Sequence, residues 1–203
     1  MIIHTCEQNT SEWLQARLGK PTASSFHTIM AGDTGKTRRD YMRKLAGEII
    51  TGQPMEGFSN AYTERGHAVE GEARATYEFL RNVEVEEVGF IENYGAGYSP
   101  DGLVGEDGLI EIKSKAPHLL IDILERDRMP PEHRKQVQGG LWVSEREWCD
   151  FIAYYPGMPT FMHRAFRDEK FIAEIAEAVG EFNEELSALV ERIRRYGERE
   201  AAA

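Results

Sequence analysis

The stretch SPDGLVGEDGLIEIKSKA, residues 99–116, decides the fold of this chain. Two short strand-like segments flank the sequence GEDG at 105–108, whose Asp-Gly pair is typical of a tight β-turn. A hairpin that turns there places Asp101 opposite Glu111 or Ile112. The hairpin therefore brings two carboxylates close together although ten positions separate them in the chain.

The second strand of this hairpin carries a charged pair on one face. Because side chains alternate along a strand, Glu111 and Lys113 project from the same side. Two carboxylates and a lysine suit phosphodiester hydrolysis, since hard oxygen ligands bind Mg²⁺ and an ammonium group orients the attacking water. Glu70, on the helix that precedes the strands, is a candidate third carboxylate.

An alternative interpretation is purely structural. Glu111 and Lys113 would form an exposed ion pair worth about 0–1 kcal/mol, and Asp101 would only begin a turn. The setting favours the functional interpretation, because the charged residues alternate with two isoleucines directly after a Pro-Asp-Gly sequence.

Hydrophobic periodicity predicts helices, then a group of strands, then a helix pair, two strands and a last helix. The predicted helices lie near residues 11–30 with a break at 19–21, 40–50, 60–81, 116–126, 131–143 and 171–193. Thr22 or Ser24 is expected to cap the helix that follows the break at 19–21, and Ser59 or Asn60 to cap the helix predicted at 60–81. This order predicts an α/β (α+β) domain rather than a helical bundle. The apolar stripe of the last helix is expected to pack in the core, with a subunit interface as the alternative.

Net charge, cysteine spacing and the lengths of apolar runs exclude several classes of protein. The 203 residues carry a net charge of −11, which argues against a protein coated in nucleic acid. The segment DTGKTRRDYMRK, residues 33–44, is locally basic and fits either a DNA-facing patch or a solvated loop. Cys6 and Cys149 lie too far apart to indicate a zinc or disulfide motif. No apolar run is long enough for a signal peptide or a membrane span, so we expect a cytoplasmic protein.

The sequences SPDGL and LIEIK resemble the signature of the PD-(D/E)XK nuclease superfamily. More narrowly, the chain resembles the phage lambda exonuclease type, the YqaJ-like viral recombinases. Three further segments are similar to that family and occur in the family order: EWLQARLGKPTASSFHTIM at 12–30, RGHAVEGEARATYEF at 65–79 and KQVQGGLWV at 135–143.

The resemblance implies a restriction-endonuclease-like core, in which helices flank a central mixed β-sheet. It implies one exonuclease domain over 1–203, made of an N-terminal helical part (1–58), a nuclease core (59–166) and a long C-terminal helix (167–203). Asp101, Glu111, the backbone carbonyl of Ile112 and Glu70 would bind two Mg²⁺ ions per site, with Mn²⁺ as a substitute. Lys113 would position the attacking water.

The same resemblance assigns roles around the metal centre. Gln136 would contact the active-site network or the scissile strand, and Arg17 and Ser24 would hold a terminal 5′-phosphate. Lys36, Arg38 and Arg39 are candidates for the basic DNA contact of the following loop, and Tyr62 is a candidate for separating the strands. Without the resemblance, Arg17 and Gln136 would be solvated polar residues and Ser24 a helix cap.

The function implied is a Mg²⁺-dependent 5′-to-3′ exonuclease that leaves 3′ single-stranded overhangs for recombination by strand annealing. The expected partners are linear duplex DNA with a 5′-phosphate, a single-strand annealing protein and two further copies of the chain in a trimeric ring. The implied setting is the cytoplasm of a bacterial host, with the gene carried by a phage or prophage. The alternatives are an endonuclease of the same superfamily and a non-catalytic module that binds DNA or a recombination protein.

Overall fold

The computed structural model describes residues 1–31, 35–55 and 61–201, and their side chains except those of 61–68 and 197–201. The expected caps Ser59 and Asn60 lie outside the described residues, and so does the side chain of Tyr62. The helices and strands below belong to the described part of the chain.

The helices follow the predicted order, with some differences at their ends. They are α1 (Ser11–Arg17), α2 (Phe26–Ile29), α3 (Lys36–Thr51), α4 (Ala61–Arg81), α5 (Pro117–Arg126), α6 (Arg134–Ser144) and α7 (Glu169–Ala201). A 3-10 turn over Ala23–Ser25 leads into α2, and Thr22 precedes that turn without a capping hydrogen bond from its side chain. Helix α3 begins four residues before the predicted start at 40, since Gly35 is the extended residue that precedes it.

The strands form two sheets. They are β1 (Ile2–His4), β2 (Phe90–Asn93), β3 (Ala96–Tyr98), β4 (Gly102–Val104), β5 (Gly108–Ser114), β6 (Trp148–Tyr154) and β7 (Phe161–Phe166). Strands β1, β2 and β3 make an antiparallel sheet. The second sheet has the order β4-β5-β6-β7, with β5 and β6 parallel and the outer pairs antiparallel. The predicted mixed sheet is thus present, and the smaller sheet beside it is an addition that the sequence did not predict.

Strand β5 lies between two hydrophobic clusters, which is why the carboxylate of Glu111 is buried. Leu109 packs on one side with residues of α6 and α7, including Phe182. Ile110 and Ile112 pack on the other side against Tyr77 of α4. The alternation predicted for this strand is therefore correct, and both of its faces are covered.

Helix α7 packs on the body of the molecule along its apolar stripe. Ile175, Val179, Phe182 and Leu186 are all buried, which confirms the expectation of core packing. The α/β (α+β) fold class with a long C-terminal helix is confirmed. None of the helices in the described ranges is long and apolar enough to cross a membrane.

Candidate active site

The β4–β5 hairpin places Asp101 beside the strand that carries Glu111. Gly102 pairs with Ile110 in the hairpin, so Asp101 comes opposite Glu111. The backbone N–H of Ile112 donates a hydrogen bond of 2.5 Å to Asp101 Oδ2. The predicted proximity of the two carboxylates is confirmed, and Asp101 is tied directly to β5.

Glu111 is a buried carboxylate, with a relative exposure of 1%. Tyr98 donates its hydroxyl to Glu111 Oε2 at 2.8 Å. Gln136, in the first turn of α6, donates its amide Nε2 to Oε1 at 2.5 Å. Lys113 Nζ lies 2.6 Å from the same Oε1. A buried charge is tolerated only when it is paired and hydrogen-bonded, and these three donors meet that requirement.

The burial of Glu111 excludes the structural alternative of an exposed surface ion pair. The ammonium of Lys113 is only partly exposed. Burial lowers the pKa of Lys113, but the negative charges of Glu111 and Asp101 outweigh that effect and raise the pKa above its ordinary value. Lys113 is therefore held as a cation against Glu111, within the field of Asp101.

Asp101 is buried close to two other carboxylates. Burial raises the pKa of Asp101 well above its ordinary value, and the charges of Glu111 and Glu70 raise it further. The ammonium of Lys113 and the hydrogen bond from Ile112 oppose that rise without cancelling it. The helix carboxylate Glu70 is thus part of the same electrostatic cluster, as the sequence predicts.

Arg74 ties Glu70 to the hairpin. It lies one helical turn after Glu70 on α4, and its Nη2 donates to Glu70 Oε1 at 3.1 Å. Its Nε donates to the backbone carbonyl of Asp101 at 3.0 Å. Its Nη1 lies 2.7 Å from Glu87 Oε2. One guanidinium group therefore connects two of the candidate metal ligands.

A cleft of about 690 Å³ opens beside Asp101, Glu70 and Arg74. The N-terminal segment Thr5–Asn9 forms its opposite wall. Gln8 links this segment to the hairpin, since its Nε2 donates a hydrogen bond to the carbonyl of Pro100 at 2.8 Å. The carboxylate cluster is therefore reached from the surface.

Arg17 lies near the same hairpin. Its Nη1 donates to Ser99 Oγ at 2.8 Å, and its guanidinium lies 4.1 Å from the ring centroid of Trp13. Trp13 also donates its indole N–H to Ser99 Oγ at 2.9 Å. Burial lowers the pKa of Arg17, and the nearby Tyr41 and Glu48 oppose that effect. The structure thus holds this cation against Ser99, two residues before Asp101, and packs it against the ring of Trp13.

Ser24 is exposed in the 3-10 turn, with its hydroxyl 3.2 Å from that of Thr22. This segment packs closely against α6, the helix of Gln136. A Cβ atom at Gly139 would lie only 2.4 Å from the ring of Phe26. Glycine at this position therefore lets the segment of Ser24 approach the helix that reaches Glu111.

The three basic residues at the start of α3 have different surroundings. Lys36 is exposed and pairs with Asp40 at 2.5 Å, and Arg39 is also exposed. Arg38 is buried, and both of its terminal nitrogens lie 2.8 Å from the carboxylate oxygens of Glu185 on α7. Arg38 thus joins two helices, and this placement argues against the predicted DNA contact.

The donors around Asp101 suit a hard divalent cation. Asp101, Glu111, Glu70 and the Ile112 carbonyl supply oxygen atoms. Burial and, after it, the charges of Glu111 and Glu70 raise the pKa of Asp101, and a bound cation would offset the repulsion between these carboxylates. Within the described side chains, no three His, Cys, Asp or Glu residues are already arranged as a metal cage. Binding would therefore require Glu111 and Glu70 to exchange some of their present hydrogen bonds for metal contacts.

Two members of this network, Tyr98 and Arg74, were not predicted from the sequence. Tyr98 precedes the SPDG motif by one residue, so an aromatic hydroxyl beside the motif is the signal that could have indicated it. Arg74 lies within the quoted helix segment, four positions after Glu70. That spacing puts both residues on one helical face and predicts their ion pair.

The hairpin of the mixed sheet thus presents Asp101 together with a Glu-x-Lys sequence, in which Lys113 pairs with Glu111. These are the residues that carry the resemblance to nucleases. The sequence model of the YqaJ-like viral recombinase domain matches residues 12–147. The chain belongs to this family.

Solved structures agree with this assignment. The alkaline exonuclease LHK-Exo from Laribacter hongkongensis is 38% identical, with a TM-score of 0.85 over 94% of this chain and 99% of that chain. LHK-Exo in complex with dAMP gives a TM-score of 0.86 at the same identity and coverage. A phage-related exonuclease from Haemophilus somnus 129PT, at 17% identity, shares the fold with a TM-score of 0.64 over 86% of this chain and 96% of that chain.

A curated relative is an uncharacterized protein of Acanthamoeba polyphaga mimivirus. It is 28% identical over 162 residues, which are 72% of this chain. The chain spans 29% of the length of that relative. Family and fold together support a nuclease role.

Proposed function

We propose that this protein is a metal-dependent exonuclease that degrades one strand of linear duplex DNA from its 5′ end. The observation that carries the proposal is the buried carboxylate of Glu111, which Tyr98, Gln136 and Lys113 hold beside Asp101. A structural ion pair between Glu111 and Lys113 has no need for a second carboxylate, Asp101, tied to the same strand.

Each residue of the cluster has a role in this proposal. Asp101, Glu111 and the carbonyl of Ile112 would hold one Mg²⁺ ion, and Glu70 would contribute to a second. When bound there, Mg²⁺ supplies Lewis-acid stabilisation of the charge that develops on the phosphodiester. Lys113 would orient the attacking water, and Gln136 would keep the Glu111 carboxylate in place.

The surroundings of Arg17 support the proposed direction of digestion. Its guanidinium is held by Ser99, close in sequence to Asp101, and a guanidinium fork suits a terminal phosphate. Ser24 would add a hydroxyl donor. Anchoring the 5′-phosphate there would determine which bond reaches the carboxylates. The dAMP bound to LHK-Exo is a deoxynucleoside monophosphate, the kind of product that stepwise digestion of DNA releases.

The finer biological setting is also a proposal that rests on family resemblance. The 3′ overhangs would be passed to a single-strand annealing protein in phage-type recombination. Three copies of the chain would form a ring around the DNA, which would retain an acidic protein on its substrate by enclosure.

Digestion of matched linear and covalently closed circular duplexes tests end dependence. We expect the linear duplex to be degraded in Mg²⁺, faster with a 5′-phosphate than with a 5′-hydroxyl, while the circle survives and EDTA stops the reaction. Cleavage of the circle would indicate an endonuclease instead. DNA binding without cleavage in Mg²⁺ or Mn²⁺ would indicate the non-catalytic alternative.

A further inference from the structure

A second lysine extends the polar face of β5 beyond the candidate active site. The backbone N–H of Lys115 donates to the carbonyl of Tyr154 at 3.0 Å, which continues the parallel pairing of Ser114 with Tyr154. Because side chains alternate along a strand, Lys115 projects from the face of Glu111 and Lys113, about 7 Å beyond Lys113. The three charged residues therefore form a row.

His133 holds the ammonium of Lys115. The distance from Lys115 Nζ to His133 Nε2 is 3.0 Å. An ammonium group has only donors, so Nε2 is the acceptor and the single ring proton of His133 is on Nδ1. Burial and the positive charges of Lys115 and Lys113 lower the pKa of His133 to about 4, in agreement with a neutral ring. The ring also stacks on Phe151, with centroids 5.0 Å apart.

Lys115 differs from Lys113 in its partners. Lys113 is paired with the buried carboxylate of Glu111. Within the part of the chain that the structure describes, no carboxylate lies within 4.0 Å of Lys115 Nζ. The nearest acidic influence is Glu132, an exposed residue whose carboxylate lies 3.9 Å from His133 Nε2 and whose charge raises the pKa of Lys115. Burial has the larger effect and lowers the pKa of Lys115.

A neutral acceptor positions the ammonium without forming an ion pair with it. Lys115 donates one of its three N–H groups to His133, and the other two remain for an external acceptor. Lysine binds phosphate as a compact point charge, and a partly buried cation beside a nuclease centre suits a phosphodiester. This arrangement is therefore built differently from the ion pairs elsewhere on the surface, such as Arg126 with Asp122.

We propose that Lys115, positioned by His133, binds a backbone phosphate of the DNA. This phosphate is the neighbour, on the same strand, of the phosphate that is cleaved. The proposal rests on the proposed nuclease function, since it requires DNA to cross this face of β5. Lys115 is a binding residue in this role, and His133 is a positioning residue that acts through it.

The salt dependence of DNA binding tests the proposal. The affinity for a fluorescent 5′-phosphorylated duplex is measured by anisotropy in EDTA, at a series of salt concentrations, for the wild type and for Lys115→Met. Each phosphate contact contributes about 0.7–0.9 to the slope of log K against log salt. We expect Lys115→Met to bind several-fold more weakly and to lose about that much slope. Arg195→Met, which removes an exposed positive charge near the end of α7, is the control and should keep the wild-type slope.

His133→Phe separates positioning from charge. It keeps an aromatic ring against Phe151 but removes the acceptor, so KM should rise with little change in kcat and the salt slope should stay near that of the wild type. An unchanged slope in a folded Lys115→Met protein would overturn the proposal while leaving the nuclease function intact. If Lys115→Met does not fold, Lys115→Gln is judged by the same slope. Failure of the wild type to bind DNA at all would overturn the proposed function itself.

Discussion

Replacing Arg74 with methionine should destabilise the metal-free protein and weaken its response to Mg²⁺. The change removes two hydrogen bonds to partly buried acceptors, Glu70 Oε1 and the carbonyl of Asp101. At about 1–1.5 kcal/mol each, these bonds contribute about 2–3 kcal/mol. The pair with Glu87 adds less than about 1 kcal/mol because that carboxylate is exposed. For a chain of this size each kcal/mol shifts Tm by about 2–4 °C, so we expect a loss of about 4–12 °C.

The assay is thermal unfolding in EDTA and across a Mg²⁺ titration. Without Arg74, Glu70 loses its link to the hairpin, so the Mg²⁺ concentration that gives half of the maximal Tm increase should rise. Arg74→Lys keeps the charge and should recover part of both effects. Arg126→Met removes an exposed arginine that pairs with Asp122, and it should change stability by less than about 0.5 kcal/mol. An Arg74→Met protein with wild-type Tm and an unchanged Mg²⁺ midpoint would refute the idea that Arg74 organises the ligands.

Three further predictions concern other contacts. Tyr98→Phe leaves Glu111 Oε2 without its hydroxyl donor, and we expect a loss of about 1.5–3 kcal/mol in chemical denaturation together with slower cleavage. Asp150→Asn should cost about 1–2 kcal/mol at pH 7, because it removes the charge of a buried carboxylate that pairs with Arg164, whose side chain is partly exposed to solvent. Burial raises the pKa of Asp150, but the hydrogen bonds and charge of Arg164 and the hydrogen bond from Tyr77 outweigh it, so the native pKa is below its ordinary value. The stabilisation is therefore present above about pH 4 and is lost as the pH falls through the native pKa. Denaturation at pH 3 should show a smaller difference from wild type. Arg17→Ala should reduce the preference for a 5′-phosphate in competition digests, and an intact preference would reject that role.

The hairpin was predictable because its information is local. An Asp-Gly turn and strict alternation of side chains are enough to bring Asp101 opposite Glu111 and to put Lys113 on the same face. What local pattern could not predict is the burial of Glu111. That burial depends on how α6 and β3, which lie outside the hairpin, pack against β5 and supply Gln136 and Tyr98.

Other features escaped prediction for different physical reasons. Strand β1 has only three residues, and its Ile2 and Ile3 side chains are exposed, so no alternation marks it. Arg38 looks like a member of a basic DNA-binding loop, yet its partner Glu185 is 147 positions away. Arg38 is buried because α3 packs against α7 in the folded protein, and the local density of basic residues in the sequence does not reveal that packing.

The central claim is that the centre formed by Asp101, Glu111 and Lys113 removes nucleotides from the 5′ end of one strand. The most direct measurement uses one linear duplex labelled at the 5′ end or the 3′ end of the same strand and follows label release in Mg²⁺ by wild type, Glu111→Gln and Lys113→Ala. We expect early release of the 5′ label as mononucleotide, late release of the 3′ label, and no release by either folded variant. Early release of the 3′ label, or wild-type rates in either variant, would contradict it.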